Sequence, residues 1–434
     1  MDAFNLVDSQ RGIPESGEPK DDGLKIAIVG GGSAGLVTAH LLDGAHHVTI
    51  FEKAPVLGGH VRTLNRNVDC ALGPGLILDA GVIEFERHNF PTLMRLFDSL
   101  GCETRPVPGT TTFWTHDGVH HLSPGSMKRS PGSLRERLRH FIDLLELRMQ
   151  EVRFNRRTSL PEASLDRLTL GDLLTDADAD RWAALLATYA YSIPYERVRQ
   201  MPAGLTIPML RAFEHAEAWV SLRGGSWDYL GRIVERLSGT VHTDASVARV
   251  ARTDNGVRLH MASGETRHFD KIVFAAPPDQ TLALLEDPTE AERRRFFAWR
   301  ANHIHTLVHH DRSVYRRRGV ELMTEFDVIE TGPERGGYNC YLNALCGVPD
   351  EDERAFGLAF GIDSWIDPAK VVLRQEHHTP DYTVESHRWH HEVSATNGEN
   401  HTFHVGAWLG DGLQEGAVTS AVAVSQLLGG TSIP

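Results

Sequence analysis

Residues 24–52 constrain this chain more than any other stretch. Residues 25–29 (KIAIV) form a short apolar run without polar alternation, which reads as a parallel strand buried on both faces. The run enters Gly30-Gly-Gly-Ser-Ala-Gly35 directly. Residues 36–42 have helical period and stop near Gly44, and residues 48–51 form a second strand closed by Glu52 and followed by Lys53. Gly30, Gly32 and Gly35 thus make G-x-G-x-x-G inside a β-α-β unit, with Glu52 twenty positions after Gly32. This is the dinucleotide fingerprint in the context it requires. Gly30 supplies the tight turn, Gly32 lets backbone approach a pyrophosphate, and Gly35 permits close packing of helix on strand. Ser33 and Ala34 open the helix, whose free N–H groups and positive dipole end suit an anion. Glu52 is placed to accept from ribose hydroxyls.

The rest of the chain is long enough for two to three domains at 434 residues. Acidic residues outnumber basic ones, 58 to 44, for a formal charge of −14, which argues against nucleic acid as the main partner. No apolar run spans a bilayer, and the N-terminus has no basic and apolar signal-peptide regions. Residues 1–22 are polar and read as a disordered leader. Cys70, Cys102, Cys340 and Cys346 make no C-x-x-C pair and read as ordinary thiols in a reducing cytoplasm. The 24 histidines include five adjacent pairs, at 46–47, 120–121, 309–310, 377–378 and 390–391. Neighbours on a strand point to opposite faces, so such pairs do not chelate, and no metal is expected.

Downstream, Asn89 is positioned to cap a helix over 90–100 that stops at Gly101. Residues 113–121 read as a hairpin turning at Asp117-Gly118. Residues 133–152 and 178–219 have mostly helical period, and Gly224-Gly225-Ser226 precedes another helix at 227–238. Strands return at 247–251, 257–261 and 271–275, and strand-like runs alternate with loops from 301 to 393. A strand at 403–406, a glycine-rich turn and a helix at 413–428 end the chain.

A second glycine pair follows Glu52 in Leu57-Gly-Gly-His-Val-Arg-Thr63. Gly58, Gly59, His60, Val61 and Arg62 here resemble the G-G-[RH]-x-x-T motif of the flavin-containing amine oxidoreductase superfamily, which includes monoamine oxidases, phytoene desaturases and a polyunsaturated fatty acid isomerase. The resemblance continues in family order. Residues 78–82, with Gly81 and Val82, look like the D-x-G segment along the flavin. Residues 223–230 look like the mid-chain glycine pair, and 243–247 like the strand whose valine, Val247, meets adenine. Residues 274–278 resemble the returning strand and loop. Residues 406–417, with Gly406, Gly412, Leu413 and Gln414, resemble the C-terminal flavin motif. The nearest likeness is to a bacterial subgroup described as predicted NAD/FAD-binding proteins, whose members are suspected of acting on lipids. The resemblance implies an α/β fold: a discontinuous Rossmann-like FAD-binding domain of the glutathione-reductase type (24–88, 225–290 and 400–430) and a mixed α+β substrate domain (89–224 and 291–399). It implies FAD, held non-covalently, because 406–417 contain no cysteine of the kind monoamine oxidases use for attachment.

The resemblance also implies where chemistry occurs. Trp408 would be one wall of the aromatic cage that amine oxidases place before the flavin, although no second ring is identifiable and no acidic residue follows Gly406. Some amine oxidases hold a lysine over flavin N5; by register His305 stands near that place, with His303 or Leu307 there if the alignment slips by two. Trp219, Arg211 and Arg223 fall in or just after the helical insert, where an arginine could clamp a substrate carboxylate. The favoured function is hydride transfer at carbon, a desaturation or dehydrogenation of an apolar or acyl-type small molecule. A double-bond isomerase, an amine or amino-acid oxidase and a non-catalytic flavin-binding protein are the alternatives. With one dinucleotide fingerprint in the chain, NAD(P)H is not expected as a stoichiometric partner.

Overall fold

The computed structural model describes residues 23–434 except 71, 74, 116, 117, 131, 177, 178, 215, 217, 350 and 351. The leader 1–22 and Asp117 of the expected hairpin turn lie outside the described residues. The first strand, Lys25–Val29, is the centre of a five-stranded parallel sheet. The strand order is Thr240–His242, His47–Phe51, Lys25–Val29, Lys271–Phe274 and Thr402–His404. Its alternate residues serve two cores. Ile26 and Ile28 pack with the helices Ser33–Leu42 and Gln414–Leu427. Ala27 and Val29 pack under an antiparallel ribbon formed by Val247–Thr253, Gly256–Met261 and Thr266–Phe269. Burial on both faces is why the sequence shows a continuous apolar run.

A second sheet has seven strands, in the order Val371–Pro380, Ala301–His309, Gly357–Phe360, Arg335–Tyr341, Phe326–Gly332, Thr111–Thr115 and Gly118–His121. Its neighbours pair antiparallel, except Phe326–Gly332 with Thr111–Thr115. The helices Leu134–Thr158, Arg181–Tyr191 and Ala203–Glu214 share a separate core built around Phe154, Trp182 and Leu210. The fold is thus α/β with a parallel-sheet lobe and a mixed lobe, as expected.

Several local expectations need correction. The helical stretch expected over 178–219 breaks into three helices ending at Glu214, and Trp219 opens a strand, Trp219–Leu222. That strand pairs on both edges, with Phe85–Glu86 and Thr104–Pro106. Asn89 does not cap the next helix. Phe90 is the cap residue of Pro91–Leu100. The carboxylate of Glu415 accepts the Thr92 and Leu93 N–H groups, each at 2.9 Å. A carboxylate from 323 residues away thus satisfies donors that local sequence leaves open. The expected stop at Gly101 is in place, with φ +73°. The pair His390-His391 begins a helix, not a strand.

Candidate active site

A cavity of about 810 Å³ opens at the carboxyl ends of the parallel strands. Val29 and Gly30, Phe51 and Glu52, Ala275 to Pro277, and Val405 and Gly406 each follow one strand into its wall. Ligands bind α/β sheets at such strand ends. The glycine loop shows why side chains are excluded. Gly30 has φ +115°, and a Cβ there would meet the Ala275 carbonyl oxygen at 2.4 Å. A Cβ on Gly35 would stand 2.0 Å from the Gly30 oxygen, where helix and loop touch. Gly32, on the cavity wall, has nothing within 3.6 Å of that position. It ends the loop at the helix Ser33–Leu42, which no side chain caps. A backbone cradle with free first-turn donors fits a pyrophosphate.

The neighbouring motifs hold this cradle. The Gly58 N–H donates to the Gly31 oxygen at 2.8 Å, which lays the second glycine pair against the first loop. Glu52 accepts from the Gly31 N–H at 2.7 Å and the Ala54 N–H at 2.8 Å, so its carboxylate is fixed at the cavity edge. Lys53 Nζ donates to Gln280 at 3.0 Å. Buried Asp79 accepts from the Thr63 hydroxyl at 2.6 Å and the Ser226 N–H at 2.8 Å. Burial pushes its carboxyl up to about 6 against those two bonds. Three motifs far apart in sequence thus meet on one side chain. Tyr229 is a further tie that the sequence reading missed. Its buried hydroxyl donates to Gln414 Oε1 at 3.1 Å and pairs with Ser33 Oγ at 2.9 Å.

Away from the glycine loops the cavity becomes aromatic. Tyr189 and Tyr338 meet edge to face at 5.1 Å, and Trp219 does the same with Phe213 at 5.2 Å. Glu84 stands among them and accepts the Tyr189 hydroxyl. Burial raises its carboxyl to about 7, opposed by that hydrogen bond. Tyr191, Tyr382 and Trp408 form another part of the wall, and Tyr191 and Tyr382 lie 6.0 Å apart. The Trp408 ring is 3% exposed, and its indole N–H has no acceptor among the described residues. Near Gly81, Thr306 Oγ1 and His377 Nε2 share a hydrogen bond at 3.0 Å. Gln375 donates to the Ala80 oxygen and to Thr306. Burial holds the His377 imidazole neutral, at about 3.

Most residues singled out from sequence reach this one cavity: Gly30, Gly32, Ser33, Ala34, Glu52, Lys53, Gly59, His60, Arg62, Gly81, Val82, Trp219, Val247, Gly406, Trp408, Gly412, Leu413 and Gln414. Gly35, Gly58 and Val61 are buried behind its wall. His305 does not line it. It is exposed, while Ile304 and Thr306 line the cavity. Side chains alternate along a strand, so the register is off by one, and the slip by two leaves His303 exposed as well. Arg223 is also outside, exposed and 3.8 Å from Glu103. Arg211 donates to the Thr158 oxygen at 2.9 Å. Lys53 and Arg62 are the only Lys or Arg side chains among the described lining residues, and both belong to the glycine-rich half. Among the described residues no cluster of His, Cys, Asp and Glu could hold a metal ion.

A two-lobed α/β protein with a glycine-cradled cavity between a parallel sheet and an aromatic wall is the form of a nucleotide-cofactor enzyme. Residues 33–307 match the flavin containing amine oxidoreductase family, so the chain belongs to that family and is a flavin-dependent oxidoreductase. Solved structures with the same fold include a fatty acid isomerase from P. acnes described as CLA-producing (16% identity, TM-score 0.67, covering 93% of this chain and 98% of that one). They also include cyclohexylamine oxidase from Brevibacterium oxydans IH-35A (15%, 0.65, 94% and 100%) and a putrescine oxidase bound to putrescine (15%, 0.63, 93% and 98%). At these identities the likeness is one of fold. No curated protein matches the chain.

Proposed function

We propose that the flavin is FAD, bound non-covalently, and that the enzyme removes hydride from carbon in an apolar small molecule, as a desaturase or dehydrogenase. In this reading the pyrophosphate lies against Gly32, Ser33 and Ala34, Glu52 takes the ribose hydroxyls, and Val247 meets the adenine. The FAD-binding unit is then assembled from 24–88, 225–290 and 400–430, with the remaining segments building the substrate side.

The observation that carries the reading is the composition of the aromatic half. It presents rings, Ile304 and Leu358 to a substrate, and no Lys or Arg among its described residues. A substrate carboxylate has no clamp there, so the reacting end is apolar, and the acyl group's polar end is not held by Arg211 or Arg223. Bound flavin supplies the two-electron acceptor. The aromatic wall keeps water from the reacting carbon. With its carboxyl at about 7, Glu84 is partly ionised near neutral pH and can take the proton from the carbon next to the one losing hydride. The hydride and that proton leave together, and an alkene remains.

A second reading, amine oxidation, has one observation in its favour. A carboxylate bonded to Tyr189 in a cavity also lined by Tyr338 and Trp219 suits an ammonium, which aromatic faces attract. Anaerobic mixing separates the readings. Flavin bleaching by an acyl or alkyl compound with an alkene as product supports the proposal. Turnover to a product of unchanged mass makes the enzyme an isomerase. Bleaching by a primary amine with ammonia release, and none by acyl compounds, refutes it.

A further inference from the structure

The helix Leu134–Thr158 has two apolar faces. One is used: Leu144 and Phe154 are buried, and Phe154 packs edge to face on Trp182 at 5.3 Å. The other is open. Leu134, Leu138, Phe141, Ile142, Leu145 and Met149 are between 45% and 85% exposed, and Val152 extends the row. Counted from Leu134 these positions fall at i, i+4, i+7, i+8, i+11, i+15 and i+18, a single stripe about 100° wide on the side opposite the buried face. Large apolar side chains exposed in one continuous stripe mark an interaction surface.

The charges around the stripe identify what it meets. Arg135, Arg139 and Arg153 border it on one side and Arg137 and Arg148 on the other, all exposed. Arg148 also pairs with Glu151 at 2.6 Å. Glu151 is buried and Asp143 half-buried, exposed Glu136 folds back to accept the Ser133 N–H at 2.6 Å on the side away from the stripe, and Glu146 is the carboxylate nearest the stripe's edge. The helix carries seven arginines against four carboxylates, on a chain whose formal charge is −14. Positive charge is therefore concentrated where the apolar side chains are exposed. A two-fold contact with a second copy would set these arginine borders against each other. An anionic bilayer surface complements them and accepts the apolar side chains between.

We propose that Leu134–Thr158 is a membrane-docking helix that lies in the plane of an anionic lipid surface, with its outer stripe in the acyl boundary and its arginines at the head groups. No described helix is long and apolar enough to cross a membrane, so this is a surface attachment. The same helix is fixed to the helices that wall the cavity: Asn155 donates to Glu214 at 2.5 Å, and Phe154 holds Trp182 on the helix that carries Tyr189 and Tyr191. Docking therefore places the lobe that carries the aromatic wall next to a reservoir of apolar molecules. That last step rests on the proposed function, and the docking does not.

The test is flotation of the flavin-loaded full chain with vesicles of phosphatidylcholine alone or mixed with phosphatidylglycerol. The protein is expected to float with the mixed vesicles only, and less in high salt. The double variant Leu138→Asp/Ile142→Asp changes exposed positions, so it keeps its flavin spectrum and its rate of flavin reduction by soluble compounds, and it stays at the bottom. Changing Arg135, Arg139 and Arg153 to Gln lowers partitioning on the order of 100-fold, at about fivefold per arginine. Failure of the wild type to float, flotation of the double variant, or a wild-type dimer that the double variant dissolves would each overturn the proposal. Failure of the substrate reading would appear only in the anaerobic bleaching assay.

Discussion

Replacing Glu84 by Gln tests the electrostatics of the aromatic half directly. The carboxyl titrates at about 7 instead of 4.5 because burial among Tyr189, Tyr338 and Cys340 penalises its charge. At about 1.36 kcal/mol per pH unit, ionising it in the folded protein costs about 3 kcal/mol. One face of the carboxyl looks into the cavity, and water there returns part of the cost, leaving about 1–3 kcal/mol. The sign follows from proton counting. Between the unfolded and folded values the native state keeps the proton and the unfolded chain has lost it. Glu84 therefore adds stability that is fully present at low pH, is lost as pH rises from about 4.5 to about 7, and stays lost above. Gln has the same shape, can accept from Tyr189 and does not titrate. Asp79, at about 6, and Asp327, at about 7, act with the same sign but are common to both proteins and cancel.

The expected result is a variant more stable than the wild type by about 1–3 kcal/mol above about pH 8, a gain of a few °C in Tm, with the gap closing toward about pH 4. Differential scanning calorimetry of both proteins across that range measures it. A gap independent of pH, or one that opens at low pH, refutes the reasoning. Activity gives a second reading. If Glu84 takes a proton from carbon, Glu84→Gln lowers kcat by roughly 10²–10⁴ with little change in KM, whereas loss of an ammonium partner raises KM.

Four further outcomes are expected. Heat or acid should release intact FAD into the supernatant, and flavin retained by the denatured chain would contradict non-covalent binding. Gly32→Val should give a folded but colourless protein, checked by absorbance and circular dichroism, because its side chain would fill the cradle. Tyr229→Phe should weaken flavin retention by roughly fivefold to tenfold through loss of the bond joining Ser33 and Gln414, as read by flavin release during dialysis. His305→Ala should leave flavin reduction unchanged, while Thr306→Val shifts the bound-flavin spectrum and slows reduction; the reverse pattern would restore His305 to the cavity.

The cofactor half was legible because its constraints are local and fall on the backbone. At Gly30 and Gly35, carbonyl oxygens stand 2.4 and 2.0 Å from where a Cβ would be, so glycine is required there whatever surrounds the site. The same holds for Gly81, where a Cβ would meet the His60 oxygen at 2.0 Å. Such positions leave a trace in any single sequence. Tyr229 left none: its hydroxyl joins residues 196 and 185 positions away, and within its helix it reads as one more buried aromatic.

The substrate half was less legible because side chains from separate segments build it, and their aim depends on register. Glu84 and Tyr189 are 105 residues apart, so neither suggests the other. On Ala301–His309, Thr306 pairs with Gln375 and Ile304 with His377, which places Ile304, Thr306 and His377 on the cavity face. Moving the register by one residue would turn His305 inward and Thr306 outward, with no change in which strands pair. Hydrophobic pattern alone is ambiguous here: residues 306–309 are buried without a break, because the sheet packs on both faces, with Val308 in one core and Leu307 in the other. Even a correct strand assignment therefore cannot tell which of two neighbouring polar residues faces the substrate. That choice is made by the pairing with Val371–Pro380, and it places a neutral histidine and a threonine beside Gly81.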